Sequence, residues 1–375
     1  MELTRKDQKL DAEHGVVSSF PDQFFGYYGW PTITRMDDGT LVAAASGLRT
    51  AHVCPFGRNV VLVSRDDGRS WTSPRVVNDS PLDDRDTGAV PVGENGLLLT
   101  WFTTDNRPQL KRAPAADRAR WEEATARIND TNVAANVGAW ACQSRDAGET
   151  WEAPVRVPLT APHGPIRRQS GDLLYLGKQF ITNMQGFTTG RGKIAAMNSD
   201  DGGLTWNELG EIPLIPGTRE GNYHEPHVAE LPDGTLVGMI RIEEAEEAPP
   251  LADSGVVNFS MVQTVSTDGG STWSAGEPLN FHGCPPHLLV HSSGALVCVY
   301  GRRQRPYGER VMFSTDGGGS WEYDYSLRDD GPDSDLGYPS TVELADGRLL
   351  TMYYQKPDSP ADKCSLLCSW WRLPD

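Results

Sequence analysis

Short apolar runs recur along the chain, each interrupted by a tight turn built on glycine. Trp30–Ile33 and Leu41–Val42 flank Asp38-Gly39; Asp86–Val90 and Leu97–Leu99 flank Asn95-Gly96; His163–Ile166 and Leu173–Tyr175 flank Ser170-Gly171. The pattern continues with Glu225–Val228 and Leu236–Val237 around Asp233-Gly234, Pro286–Leu289 and Ala295–Val297 around Ser293-Gly294, and Tyr338–Val342 and Arg348–Leu350 around Asp346-Gly347. Asp-Gly and Asn-Gly between apolar runs are strong hairpin signals, so six hairpins are predicted. A third apolar run follows each hairpin, as Val60–Val63 does, and in five units it enters the pattern S-x-D-x-G-x-x-W. The copies are Ser64–Trp71, Ser144–Trp151, Ser199–Trp206, Ser266–Trp273 and Ser314–Trp321.

Each fixed position of that pattern has a physical role. The Asp side chain can close its own turn by accepting backbone N–H groups. The Gly tolerates a positive φ, and the Trp is large enough to fill a gap between neighbouring sheets. One copy alone would read as a surface turn; five in one chain mark a repeat architecture. Four strands in each of six units predict an all-β chain, a six-bladed β-propeller with four-stranded antiparallel blades and five Asp-box turns. The reading is of a single domain over 1–375. The sixth unit lacks the turn; its third strand is expected at Cys364–Trp371 and its fourth at His14–Ser18, which places both chain ends in one blade. Asn106–Asn136 is an insertion in the second unit, with helix-friendly composition over Ala113–Ile128, read as a surface loop or as a lid. Glu243–Glu247 is read as a solvated acidic loop.

Composition narrows the partners. A net charge of −17 argues against nucleic acid and anionic membranes, while leaving room for a local basic pocket. The six cysteines have no metal-like spacing and are expected as free, largely buried thiols; Cys364 and Cys368 fall about 13 Å apart along one strand. No signal-like or membrane-spanning run is visible, which makes a cytoplasmic location the expectation. No cofactor is indicated, and the histidines lack the tight spacing of a metal site. Oligomeric state is not indicated.

Propeller geometry selects candidate site residues. First strands of all blades start at one mouth of the channel, and second strands end there. The starts are Trp30, Asp86, His163, His224, Glu225, His227, His287, Asp335 and Tyr338; the ends are Arg49, Asp105, Arg241, Arg302, Arg303, Tyr354 and Gln355, with Arg58 and Arg85 close by. This set concentrates cations, carboxylates and aromatics, whereas the strand interiors are Leu and Val.

With its Asp-box turns in six units, the chain resembles the sialidase (neuraminidase) superfamily over nearly its full length. The more specific likeness is His224–Gly234 leading to Met239-Ile240-Arg241, then Gly301-Arg302-Arg303, then Gly337-Tyr338-Pro339-Ser340-Thr341. The resemblance implies an exo-glycosidase acting on a glycan that ends in an acidic sugar. It implies Tyr338 as nucleophile, Glu225 as its base, and Arg241 with Arg302 or Arg303 as carboxylate clamps. A phenol avoids the repulsion a carboxylate nucleophile would meet from an anionic substrate. Two departures stand out. Trp30-Pro31 occupies the place where such enzymes carry Arg-Ile-Pro, which leaves Arg49 or Arg58 as replacements. The loop Thr50–Gly57 has no carboxylate for the acid/base, which leaves Asp86, Asp84 or His52. A lyase acting on uronic-acid glycans and a non-catalytic carbohydrate-binding propeller are the competing readings.

Overall fold

The computed structural model describes residues 1–182, 188–244 and 250–374. The last part of the acidic stretch, 245–247, lies outside them. Six sheets, each with an antiparallel four-stranded core, are arranged as blades. Blade one comprises Tyr27–Arg35, Leu41–Arg49, Arg58–Ser64 and Arg75–Asn78; blade two Asp83–Val92, Gly96–Thr104, Gly138–Ser144 and Val155–Val157. Blade three has its innermost strand split into Leu159–Thr160 and Ile166–Arg167, followed by Leu173–Thr182, Thr188–Ser199 and Asn207–Glu211. Blade four is Tyr223–Glu230, Leu236–Ile242, Ser260–Ser266 and Glu277–Pro278; blade five Pro286–Val290, Leu296–Arg302, Gly308–Ser314 and Ser320–Arg328. Blade six joins Gly337–Glu343, Leu349–Gln355 and Ser365–Trp371 to Ala12–Ser18 from the other end of the chain.

The five turns close as their chemistry dictates. Ser64 Oγ donates to Asp66 Oδ1 at 2.8 Å, and Asp66 accepts from the Ser70 N–H at 2.9 Å and the Ser70 hydroxyl at 2.6 Å. These bonds, the Ser70 hydroxyl's first, hold the Asp66 carboxyl down at about 2. The same closure recurs at Asp146, Asp201, Asp268 and Asp316. Each Trp then packs toward the preceding blade. Trp273 lies among Leu174, Leu176 and Leu236, and Trp71 packs against the cluster containing Leu350 and Trp370. All six cysteines are free and buried.

The first residues depart from the expectation that both ends meet in one blade. Glu2–Lys9 adds to blade five as a parallel fifth strand beside Ser320–Arg328. Its sequence, ELTRKDQK, has no apolar alternation. Backbone pairing and ion pairs hold it instead: Arg5 to Asp324 at 2.8 Å, Lys6 to Glu322 at 2.7 Å, and Lys9 to Asp329 at 2.8 Å. The insertion in blade two forms helices α1 (Arg118–Ala126) and α2 (Asp130–Asn136). Neither is a loose flap. Trp121 is buried with Cys54 and Ala113, and Val133 with Leu82 and Val137.

Three imidazoles pack together in the channel: His163, His227 and His287, with ring centroids 4.4–5.7 Å apart. They stitch blades to one another. His227 Nδ1 accepts the Leu288 N–H from blade five at 3.0 Å, His287 Nδ1 lies 3.4 Å from the Thr341 N–H of blade six, and His163 Nδ1 meets Thr32 Oγ1 of blade one at 3.2 Å. They line a cavity of about 400 Å³ together with Asp37, Arg167 and Glu343. Burial pushes all three toward the neutral form, His227 down to about 3.

Two predictions follow from this packing. Trp273→Ala should destabilise the protein by about 3–5 kcal/mol in denaturant melts, as a large core truncation does; an unchanged midpoint would contradict its role between blades three and four. A histidine whose pKa is depressed on folding contributes stability above its unfolded pKa, and that stability is lost as pH falls toward the folded value. His227→Gln should therefore flatten the decline in stability between about pH 6.5 and 4, by up to about 1.4 kcal/mol per pH unit. An unchanged slope would show that His227 does not take up a proton on unfolding.

Candidate functional site

Four blades open their first strand with the same backbone device. Trp30, Asp86, Glu225 and Tyr338 all lie in the left-handed region, with φ of 52°, 45°, 48° and 50°. The strand register shifts beside each of them. A left-handed non-glycine residue costs about 1–3 kcal/mol. Four such costs at equivalent positions set these side chains apart from the alternating pleat, at the mouth of the channel. In blade three the equivalent position is Gly164, where φ of 73° comes without that cost.

The centre of the site is a chain of short contacts between blades four and six. Tyr338 Oη donates to Glu225 Oε1 at 2.5 Å, and Arg241 Nη1 donates to Glu225 Oε2 at 2.5 Å and to Tyr338 Oη at 3.2 Å. The other Arg241 nitrogen, Nη2, donates to Glu243 Oε2 at 2.5 Å. Burial pushes Arg241 down, but Glu225 leads the groups that carry it well above its ordinary value, so it is a permanent cation. Burial, then Glu225, raises the Tyr338 phenol well above its ordinary range, so the resting proton sits on Tyr338. Arg303 lies 5.4 Å from the Tyr338 ring centre and donates to the Leu336 carbonyl and to Tyr354 Oη.

Asp86 lines the adjoining cleft of about 380 Å³ with Glu225, Glu243, His224, Phe102 and Lys178. Its Oδ1 has no hydrogen-bond partner. Burial pushes its carboxyl up to about 7; Glu225 adds to the rise, while Arg85 and Arg49 oppose it. At neutral pH this carboxyl therefore still carries a proton in a large share of molecules. On the side of Trp30, His52 Nδ1 pairs with Asp335 Oδ1 at 2.8 Å, and the Tyr27 hydroxyl donates to the same carboxylate at 3.0 Å. Burial would raise Asp335, but its bonds to His52 and Tyr27 hold it at about 2. The His52 ring stands 5.0 Å from that of Trp30.

Other candidates fall elsewhere. Arg49 is fully buried and bidentate on Asp83, at 2.5 and 3.0 Å, so it is not brought to the cleft. Arg58 pairs with Asp79 at 3.0 Å. Arg85 does reach the site's edge, with its guanidinium 4.2 Å from the Trp30 ring centre. Arg302 turns to Asp324 in a separate pocket, while its neighbour Arg303 meets Tyr338. Gln355 is buried and donates to Asp330, and it is Tyr354 whose ring stands 6.0 Å from that of Tyr338. His163 and His287 sit in the channel with His227, and Asp84 is bonded to Ser80 and Thr103. Asp105 pairs with Arg107. His224 lies 3.5 Å from Glu243.

Glu243 is the residue that sequence reasoning misplaced, as part of a solvated acidic loop. The available signal was its spacing: two positions after Arg241, it faces the same side of the strand run. Phe102 and Lys178, on second strands, carried no such signal. Among the described residues no group of three or more His, Cys, Asp or Glu side chains is arranged to hold a metal ion.

Residues 127–351 match the family described as BNR repeat-like domain. Among curated proteins, none matches the chain in sequence. Solved structures similar to it include a Dyadobacter fermentans protein of unknown function, at 21% identity and TM-score 0.73 over 96% of this chain and 98% of that one. The Ruminococcus gnavus intramolecular trans-sialidase in complex with oseltamivir carboxylate has 16% identity and TM-score 0.64, with 96% and 97% covered. The Trypanosoma rangeli sialidase in complex with sialic acid has 17% identity and TM-score 0.61; 96% of this chain is covered, but only 59% of the trypanosomal one. At these identities the likeness establishes the fold.

Proposed function

The chain belongs to the BNR repeat-like domain family, with the propeller fold of sialidases, and on that premise we propose that it is a glycoside hydrolase that removes a terminal acidic sugar of the sialic-acid type. The observation that carries this reading is the Tyr338–Glu225–Arg241 chain. A phenol that donates at 2.5 Å to a carboxylate fixed by a buried arginine is poised to lose its proton as it attacks. In the proposed first step, Tyr338 Oη bonds to the anomeric carbon and its proton passes to Glu225. The bond to the leaving oxygen breaks, and Asp86 protonates that oxygen. In the second step the Asp86 carboxylate takes a proton from water. The water oxygen replaces Tyr338 on the anomeric carbon, and the phenol recovers its proton from Glu225. Arg241 and Arg303 are the cations nearest Tyr338 and are proposed to hold the sugar's carboxylate.

The His52–Asp335 pair favours a second reading of the proton donor. The 2.8 Å contact fixes one ring nitrogen of His52, and 41% of the His52 side chain remains exposed. The pH profile separates the two. An acid that titrates at about 7 is protonated below that pH, so kcat/KM should fall as pH rises past 7. On a substrate whose leaving group must be protonated, Asp86→Asn should lower kcat/KM and lose this limb, while His52→Gln should keep it; on an aryl glycoside whose leaving group needs no proton, Asp86→Asn should stay active. The reverse pattern would move the role to His52.

Tyr338→Phe should lower kcat by at least about 10³-fold on aryl glycosides of sialic acid or its deaminated analogue, with the melting temperature unchanged. Glu225→Gln should lose a similar factor and also some stability, because it leaves the buried Arg241 with Glu243 alone. Full activity in either variant would refute the assignment. A new ultraviolet-absorbing unsaturated product would indicate a lyase, and binding without turnover a carbohydrate-binding propeller.

A further inference from the structure

Blade five carries a second pocket beside the end of its second strand, at Tyr300 and Arg302. Its volume is about 160 Å³, below the 300–1,000 Å³ or so typical of sites for drug-sized molecules. Tyr300, Phe281 and Tyr323 form its aromatic walls, with the Phe281 and Tyr323 rings stacked at 4.5 Å. Arg5, Arg302, His282 and the exposed Gln304 supply its polar groups. Asp324 sits in it at a bulge, with φ of 66°, and the register of its strand shifts against both neighbours there. A strained residue beside a concave pocket is a recurrent feature of ligand sites.

The charge balance is uneven. Three guanidinium groups converge on the one Asp324 carboxylate: Arg5 at 2.8 Å, Arg302 at 3.2 Å and Arg310 at 3.4 Å. The only other acid on this cluster among the described ion pairs is the exposed Asp7, 4.0 Å from Arg5. One carboxylate neutralises one of the three cations. The surplus is local, because the chain as a whole carries −17. His282 adds a ring whose buried Nδ1 has no partner. The pocket also adjoins the site of Tyr338. The Arg241 guanidinium lies 5.0 Å from the Phe259 ring centre, and Phe259 stacks on His282 at 5.8 Å. One pair of rings thus separates the two.

We propose that this pocket binds an oxyanion group, carried by the sugar unit next to the one that is cleaved; that placement rests on the glycosidase reading above. Guanidinium groups on a surface of stacked rings suit a planar or tetrahedral oxyanion. The volume admits one such group with little else. Arg5 comes from the parallel N-terminal strand, so that strand supplies part of the pocket as well as covering the blade's edge.

The test uses the full chain carrying Tyr338→Phe, so that binding is read without turnover. Calorimetric titration with sodium sulfate, and separately with sodium phosphate and sodium acetate, is compared with sodium chloride at equal ionic strength. Saturable sulfate binding is expected, unaffected by saturating sialic acid and weakened at least tenfold by Arg302→Gln. Gln304→Glu places a negative charge at the exposed rim without removing any ion pair, and should weaken sulfate equally with an unchanged melting temperature. Phosphate or acetate binding in place of sulfate would name the oxyanion while keeping the site. Heats no larger than those of chloride, or wild-type binding in both variants, would overturn the proposal. If sulfate binds but no glycoside is turned over by the parent protein, the glycosidase reading fails and the pocket stands.

Discussion

A guanidinium removed from water must be given anions, and Arg241 imposes that condition on the centre of this molecule. Leaving such a charge unpaired in the interior would cost several kcal/mol. Blade four answers with two carboxylates, Glu225 from its first strand and Glu243 just after its second. Glu225 then has one oxygen left, and the Tyr338 hydroxyl from blade six fills it. The phenol's proton is thereby directed by a chain of necessity that begins with burial. Opposite, Asp86 is buried without any partner for Oδ1 and keeps its proton to about pH 7. The two carboxyls of the cleft thus differ in their surroundings: both Glu225 oxygens are engaged by Arg241 and Tyr338, while burial holds Asp86 toward its neutral form.

Most of the architecture was legible because it is written in local chemistry. Asp-Gly turns, period-two strands and the Ser–Asp–Gly–Trp turn each fold for reasons contained within about eight residues. The site was legible only as far as the rule that strand ends meet at one mouth. That rule could not say which of two adjacent residues faces the axis. It set Arg302 beside Arg303 and Tyr354 beside Gln355, and in each pair the backbone turns one inward and the other away. The left-handed conformations of Trp30, Asp86, Glu225 and Tyr338 left little trace, apart from the proline that follows three of them. Arg49 was misleading because a buried ion pair and a substrate clamp draw on the same residue types.

Trp30 shows how a site changes character without changing its frame. An aromatic ring stands where the resemblance to sialidases led to the expectation of an arginine, and Arg49 and Arg85 flank it at 4.8 and 4.2 Å. Cationic charge is retained near that position, but on side chains that Asp83 also engages. On the proposed reading, a ligand would meet Arg241 and Arg303, and the Trp30 indole in place of a third charge. The consequence is a shallower field and a more apolar wall on the side of blade one.

The closing strand of blade six has a temporal consequence. His14 and Ser369, bonded side by side in that sheet, are 355 residues apart in sequence. During translation, Ala12–Ser18 leaves the ribosome before blades one to five, while Ser365–Trp371, the strand it must pair with, emerges after them. Blades one to four can form in order as they appear, each from neighbouring hairpins. The ring stays open until Ser365–Trp371 has been made, and its earlier-made partner waits as an unpaired edge. The neighbouring strand Glu2–Lys9 is dense in charge, the composition that best keeps such a waiting edge from pairing with other chains.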